Sequence, residues 1–152
     1  MYPLDTPSTD SSPTHPAPQL ILTAELFEQM RQHVALLAPE EACGLIAGQA
    51  DRAQQVFPVT NQLHSTLRFR MAPDEQLRAF IRMDELGLVL AAIYHSHPGG
   101  PSRPSITDVA EAYYPEAIYL IWSPGPAGWS CQGFTIREGV VQEVRIQIAE
   151  IE

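Results

Sequence analysis

Apolar residues at Leu26, Phe27, Met30, Val34 and Leu37 recur every three or four positions, which predicts a helix. Thr23 is placed to cap its start and Pro39 to end it. The pattern then shortens. CGLIAG (43–48) is a compact apolar run of strand length, closed by a glycine. QQVFPVTN (54–61) alternates as a strand does, with Pro58 restricting it to an edge or a bulge. LRFRM (67–71) alternates apolar and basic residues and predicts a half-buried strand. Pro73, followed by Asp74 and Glu75, predicts a helix start, with Leu77, Phe80 and Ile81 as its apolar stripe and Gly87 as its end.

The second half reads as sheet. LVLAAIYH (88–95) is almost wholly apolar, as a central strand covered on both faces should be. A short helix is expected near Ser105, and AIYLIW (117–122) is another buried strand. After the PGPAG turn, WSCQGFTIR (129–137) pairs naturally with VVQEVRIQI (140–148) around Gly139. Residues 1–18 differ from all of this. Five prolines among Ser, Thr and Asp cannot bury enough surface to offset ordering, so they read as a disordered tail that includes His15. Residues 19–152 form one α+β domain, a central sheet with helices packed on it.

Composition narrows the function. A net charge of −9 repels phosphate backbones and anionic headgroups, so nucleic acid and membrane are poor partners. No apolar run reaches the ~18 residues of a membrane helix, and the N-terminus lacks the basic start of a secretory signal. Cys43 and Cys131 lack CxxC partners and read as small buried hydrophobes in a reducing cytoplasm. His33 falls in a mostly polar position of the first helix, His64 in a loop that could approach a site, and Trp122 and Trp129 read as packing residues.

The candidate chemistry lies in YHSHPGGPSRPSITD (94–108). Residues i and i+2 of a strand point the same way, so His95 and His97 can face one point while Ser96 faces the other. Two imidazoles at a strand end make a pincer for a borderline-soft cation such as zinc. The Pro/Gly loop is long enough to return Asp108 as a third ligand, leaving a fourth position for water. SITD is equally a capping box, Ser105 as N-cap and Asp108 at the third helical position. Hydrolysis also needs a proton carrier, for which Glu40 and Glu41 are both placed.

HSHPGGPSRPSITD fits His-x-His-Pro, six residues, Ser-x-x-Asp; upstream, PEEACGLIAG fits Pro-x-Glu-x-Cys-Gly-hydrophobic. Together they resemble the JAMM (MPN+, Mov34/PAD-1) zinc metallopeptidases, in particular the small bacterial M67-type branch. PVTN (58–61) and LRFRMAPDEQL (67–77) extend the likeness over roughly residues 20–148. The resemblance implies an αβ sandwich with a mixed, curved sheet between helices, a JAB/MPN domain related to the cytidine deaminase fold. It implies one Zn²⁺ per chain on His95, His97 and Asp108. Glu41 rather than Glu40 would be the general base and acid, acting on a zinc-held water, and Ser105 would donate to the oxyanion.

The substrate implied is the C-terminal Gly-Gly tail of a ubiquitin-like or sulfur-carrier protein, cut at an amide bond. Such a tail could add to an exposed strand edge, either the Pro58 strand or LRFRM. Arg68 and Arg70 read as the wet face of that segment, available to acidic groups on a partner. The alternative is a non-catalytic MPN scaffold, against which the full ligand set weighs. A zinc deaminase needs H-x-E and PCxxC, and neither is present.

Overall fold

The computed structural model describes residues 18–149; the tail read at residues 1–18 lies, apart from Pro18, outside the described residues. The elements run β1 (Gln19–Thr23), α1 (Ala24–Leu37), β2 (Cys43–Gln49), β3 (Arg52–Val59), α2 (Pro73–Glu85), β4 (Val89–Ser96), α3 (Ile106–Ala110), β5 (Ile118–Gly125), β6 (Gly128–Arg137) and β7 (Val140–Ala149). The strands close into one mixed sheet in the order β1-β3-β2-β4-β5-β6-β7. No helix among the described residues is long and apolar enough to cross a membrane.

Closure depends on a strand the periodicity misses. β1 is five residues long, too short for a pattern to stand out beside the helix signal that follows. It lies parallel to β7 from Gln19↔Arg145 to Thr23↔Ala149 and meets β3 only at Ile21↔Arg52. β3 is therefore an edge over most of its length, which accommodates Pro58 as its sequence requires. The β6–β7 hairpin turns at Glu138 and Gly139, both at positive φ (51° and 77°), the twist a two-residue hairpin favours.

Strand alternation splits the core in two. Ile46, Ala92, Tyr94, Leu120 and Trp122 face α1, where Leu26, Met30 and Val34 meet them. Cys43, Leu45, Ile93 and Tyr119 face α2 through Ala79 and Met83. Thr23 caps α1 by accepting the Leu26 N–H at 3.1 Å. Gly44 is required because a Cβ there would run into the Tyr94 ring.

Two expectations are corrected. LRFRM is not a strand: among the described residues its only bridge is Asn61↔Met71. The alternation holds only from Arg68 to Met71, with Phe69 half-buried, Met71 buried and both arginines exposed, while Leu67 is exposed as well; period two says which way side chains point and not whether a partner strand exists. The α2 stripe is also displaced. The helix buries Ala79 and Met83, while Leu77 and Ile81 are 60% and 50% exposed.

Candidate active site

β2 and β4 are antiparallel, with Cys43 opposite His95. Two residues before Cys43 is Glu41, and two after His95 is His97. The register therefore carries Glu41 to the level of His97, and period two puts all four on the α2 face. Ser96 points the other way, as the sequence predicts, and its hydroxyl accepts the Ala42 N–H at 2.8 Å.

His95, His97 and Asp108 meet. The two Nε2 atoms lie 3.0 Å apart, and Asp108 Oδ2 is 3.2 Å from His95 Nε2 and 3.0 Å from His97 Nε2. His95 and His97 are buried. His97 Nδ1 faces the Pro101 carbonyl at 2.8 Å, so that nitrogen carries the hydrogen and Nε2 turns its lone pair inward. His95 stacks on Phe69 with centroids 4.5 Å apart.

The two sequence readings of SITD are not alternatives. The capping box forms: Ser105 Oγ accepts the Asp108 N–H at 3.0 Å, and the Ser105 N–H donates to Asp108 Oδ2 at 2.8 Å. That same carboxylate oxygen is the one facing both imidazoles, so the cap aims the carboxylate at the centre. In this arrangement the Ser105 hydroxyl hydrogen remains available as a donor.

This donor set fits a metal ion. Ligands around a tetrahedral ion with Zn–N of ~2.0–2.1 Å would stand about 3.3 Å apart, close to the triangle observed. Two imidazole nitrogens and one carboxylate oxygen suit a borderline divalent cation. Glu41 is buried, and its carboxylate lies within 4.8 Å of the two imidazole nitrogens. Asp108 Oδ2 touches both rings directly, and the Glu41 carboxylate reaches into the same cluster.

Electrostatics separate the two carboxylates. Burial pushes the Glu41 carboxyl up to about 7, with His97 pulling it down and Asp108 pushing it further up. Burial also opposes ionisation of Asp108, but hydrogen bonds from His95 and His97 outweigh it and hold that carboxyl well below the usual range. Burial depresses the His95 imidazole, favouring the neutral form a metal requires. Burial acts the same way on His97, yet Asp108 and the Pro101 carbonyl raise it overall.

A cleft of about 250 Å³ opens onto His95 and Asp108 and is walled by Phe69, Arg70, Tyr113 and Tyr119. Its wall is the 61–71 segment, held by a residue given no role in the sequence reading. Asn61 is buried; its Nδ2 donates to the Glu41 and Arg68 carbonyls at 3.0 Å each, and its Oδ1 accepts from Leu63 and Arg70 at 3.1 Å each. One amide thus ties the glutamate loop to the cleft wall. The sequence signals were an asparagine at a strand end and its place in the PVTN stretch. His64 does not approach the centre: it is exposed beside Glu40, at 3.4 Å. His33 is not merely polar surface; it is half-buried against the Tyr94 hydroxyl at 2.7 Å.

Residues 23–134 match the family described as prokaryotic homologs of the JAB domain. The chain belongs to this family. As a prokaryotic JAB protein it is 34% identical over 134 residues to the CysO-cysteine peptidase of Mycobacterium tuberculosis, covering 86% of this chain and 92% of that one. It is 36% identical over 124 residues to a probable TtuB-protein conjugate cleaving protease of Thermus thermophilus, covering 81% and 78%. Among solved structures it is similar to a protein of Desulfitobacterium hafniense, with a TM-score of 0.79, 36% identity, and 87% and 94% coverage. The JAB fold itself is shared with a JAB1/MPN domain protein of Archaeoglobus fulgidus, at a TM-score of 0.53 and 18% identity over 84% and 97% of the chains.

Proposed function

We propose that this JAB protein is a cytoplasmic zinc-dependent peptidase. It hydrolyses an amide bond at the C-terminal Gly-Gly tail of a ubiquitin-like or sulfur-carrier protein. The observation that carries this reading is the meeting of His95, His97 and Asp108 at the end of a cleft, with the Glu41 carboxylate within 4.8 Å of the imidazole nitrogens. The relatives named for cleaving CysO-cysteine and TtuB conjugates support the substrate class. Cys43 and Cys131 are both free thiols, in keeping with a reducing compartment.

His95, His97 and Asp108 would hold one Zn²⁺ per chain. Bound there, zinc supplies a lowered pKa for water and polarisation of the scissile carbonyl. Glu41 takes the proton from the attacking water and delivers it to the departing nitrogen; burial holds its carboxyl up at about 7 in the metal-free fold, and a bound cation would draw it down toward the ionised form a base needs. The Ser105 hydroxyl donates a hydrogen bond to the carbonyl oxygen as negative charge builds there. Phe69 shields the far side of His95 from water.

Incubation of the zinc-loaded protein with a sulfur-carrier protein extended beyond its Gly-Gly, read by mass spectrometry, tests this function. A carrier ending at Gly-Gly is expected. An intact substrate with zinc bound would instead favour a non-catalytic scaffold.

A further inference from the structure

The two imidazoles of the centre are held by different means. His97 Nδ1 has the Pro101 carbonyl at 2.8 Å, a partner that fixes its tautomer and its ring plane together. His95 is buried, yet its Nδ1 has no hydrogen-bond partner among the described residues. Its Nε2 is the atom that faces Asp108 and His97. When Nε2 ligates a metal, the imidazole hydrogen lies on Nδ1, where nothing among the described residues accepts it. A metal-ligating histidine ordinarily uses that second nitrogen to set its orientation. His95 must be oriented in another way.

The ring that lies against it is Phe69. The two stack with centroids 4.5 Å apart and planes 29° from parallel, a spacing within the range aromatic pairs favour. Phe69 is itself fixed in place. The Asn61 side chain bonds the peptide groups on either side of it: Nδ2 donates to the Arg68 carbonyl at 3.0 Å, and Oδ1 accepts the Arg70 N–H at 3.1 Å. The Gln62 N–H adds a bond to the Arg70 carbonyl at 2.9 Å. The backbone at Phe69 is thus pinned without belonging to a strand, and its ring turns inward between two exposed arginines. A further bond from Asn61 Nδ2 holds the Glu41 carbonyl at 3.0 Å, so one amide places both the stacking ring and the glutamate loop.

A ring face can do what the absent acceptor would. Coordination to a divalent cation withdraws electron density from an imidazole, and the negative face of a phenyl ring attracts an electron-poor partner more than a neutral one. The stack therefore holds the plane of the His95 ring and favours its metal-bound form. An aliphatic side chain of similar bulk would fill the same space and supply neither effect.

We propose that Phe69 is a positioning residue for the metal ligand His95, its ring face standing in for the hydrogen-bond acceptor that His95 lacks. This rests on the reading of His95 as a ligand. Phe69 acts on metal affinity through His95 and on turnover only by that route.

The test compares full-length wild type with Phe69→Leu, which keeps apolar bulk without a ring face, and Phe69→Tyr, which keeps the face. Phe69→Ile serves where Phe69→Leu melts early. The readouts are the zinc Kd, by competition with a chelator, and the visible absorption of Co²⁺-substituted protein, both on protein shown to be folded by circular dichroism. Phe69→Leu is expected to weaken zinc binding about tenfold or more and to alter the cobalt bands. Phe69→Tyr should recover most of the affinity and the wild-type bands. Lost packing alone would lower the urea midpoint of the metal-free protein while Kd and cobalt bands stayed unchanged, and that result overturns the proposal. An equal loss in Phe69→Tyr and Phe69→Leu overturns it too. His95→Ala separates the proposal from the reading beneath it. If wild type holds zinc no more tightly than His95→Ala, His95 is not a ligand and the proposal falls with it. If zinc binding needs His95 but not Phe69, the ligand reading stands and the proposal is refuted.

Discussion

Ser96 accepts the Ala42 N–H on its hydroxyl at 2.8 Å and returns its own N–H to the Ala42 carbonyl at 3.0 Å. Ala42 follows Glu41, and Ser96 stands between His95 and His97. The serine of the His-x-His run thus fixes, from the opposite face of the sheet, how far the glutamate stands from the imidazoles.

Ser96→Ala should leave a buried N–H without its partner, a cost of about 1–3 kcal/mol. Ser96→Thr, which keeps the hydroxyl, should recover most of it. Urea denaturation of the three proteins measures the loss, and kcat should fall with Ala and return with Thr.

Glu41→Gln should abolish turnover while the protein still binds zinc. A second consequence needs no substrate. Burial raises the folded-state carboxyl from 4.5 to about 7, so the metal-free fold favours the protonated form. That preference is fully present below about 4.5 and lost as pH rises through about 7. Metal-free Glu41→Gln protein should therefore melt higher than wild type at pH 8, and the difference should shrink toward pH 4.5. Equal Tm differences at both pH values would reject a buried, strained carboxylate at position 41. Since the base must be ionised, wild-type kcat/KM should fall as the solution is acidified through the Glu41 pKa.

Ser105→Ala removes both a helix cap and an oxyanion donor. Loss of the cap should cost about 1 kcal/mol, and loss of the donor on the order of 10²–10³ in kcat. Ser105→Thr should retain both. A stability loss with unchanged kcat would leave Ser105 a cap alone.

Asn61→Leu deletes four hydrogen bonds and strands the Glu41 and Arg68 carbonyls. We expect about 3 kcal/mol of lost stability, read by chemical denaturation, and a rise in KM as the cleft wall loosens. Asn61→Asp, which can accept but not donate, should not rescue.

The candidate site was more legible than the frame around it. His95 and His97 announce themselves by strand period, and Ser105 and Asp108 by capping-box spacing, because these are local signals. The choice of Glu41 over Glu40 was not local: it depends on the β2–β4 register, which sets Cys43 against His95, and in the sequence only family resemblance supplied it. β1 escaped because its five residues gain their meaning from β7, more than a hundred positions later. LRFRM misled for the opposite reason: its alternation holds from Arg68 to Met71, but Asn61 takes up its backbone groups in place of a neighbouring strand. Leu77 and Ile81 have core spacing without a core facing them.

The central claim is that three side chains bind the metal and Glu41 does not. Zinc content per chain, measured on wild type, His97→Ala, Asp108→Ala and Glu41→Gln after equilibration with one equivalent of Zn²⁺ and gel filtration, tests it most directly. One zinc is predicted for wild type and Glu41→Gln, and almost none for the other two. Full occupancy in His97→Ala or Asp108→Ala, or loss of zinc from Glu41→Gln, would contradict the account.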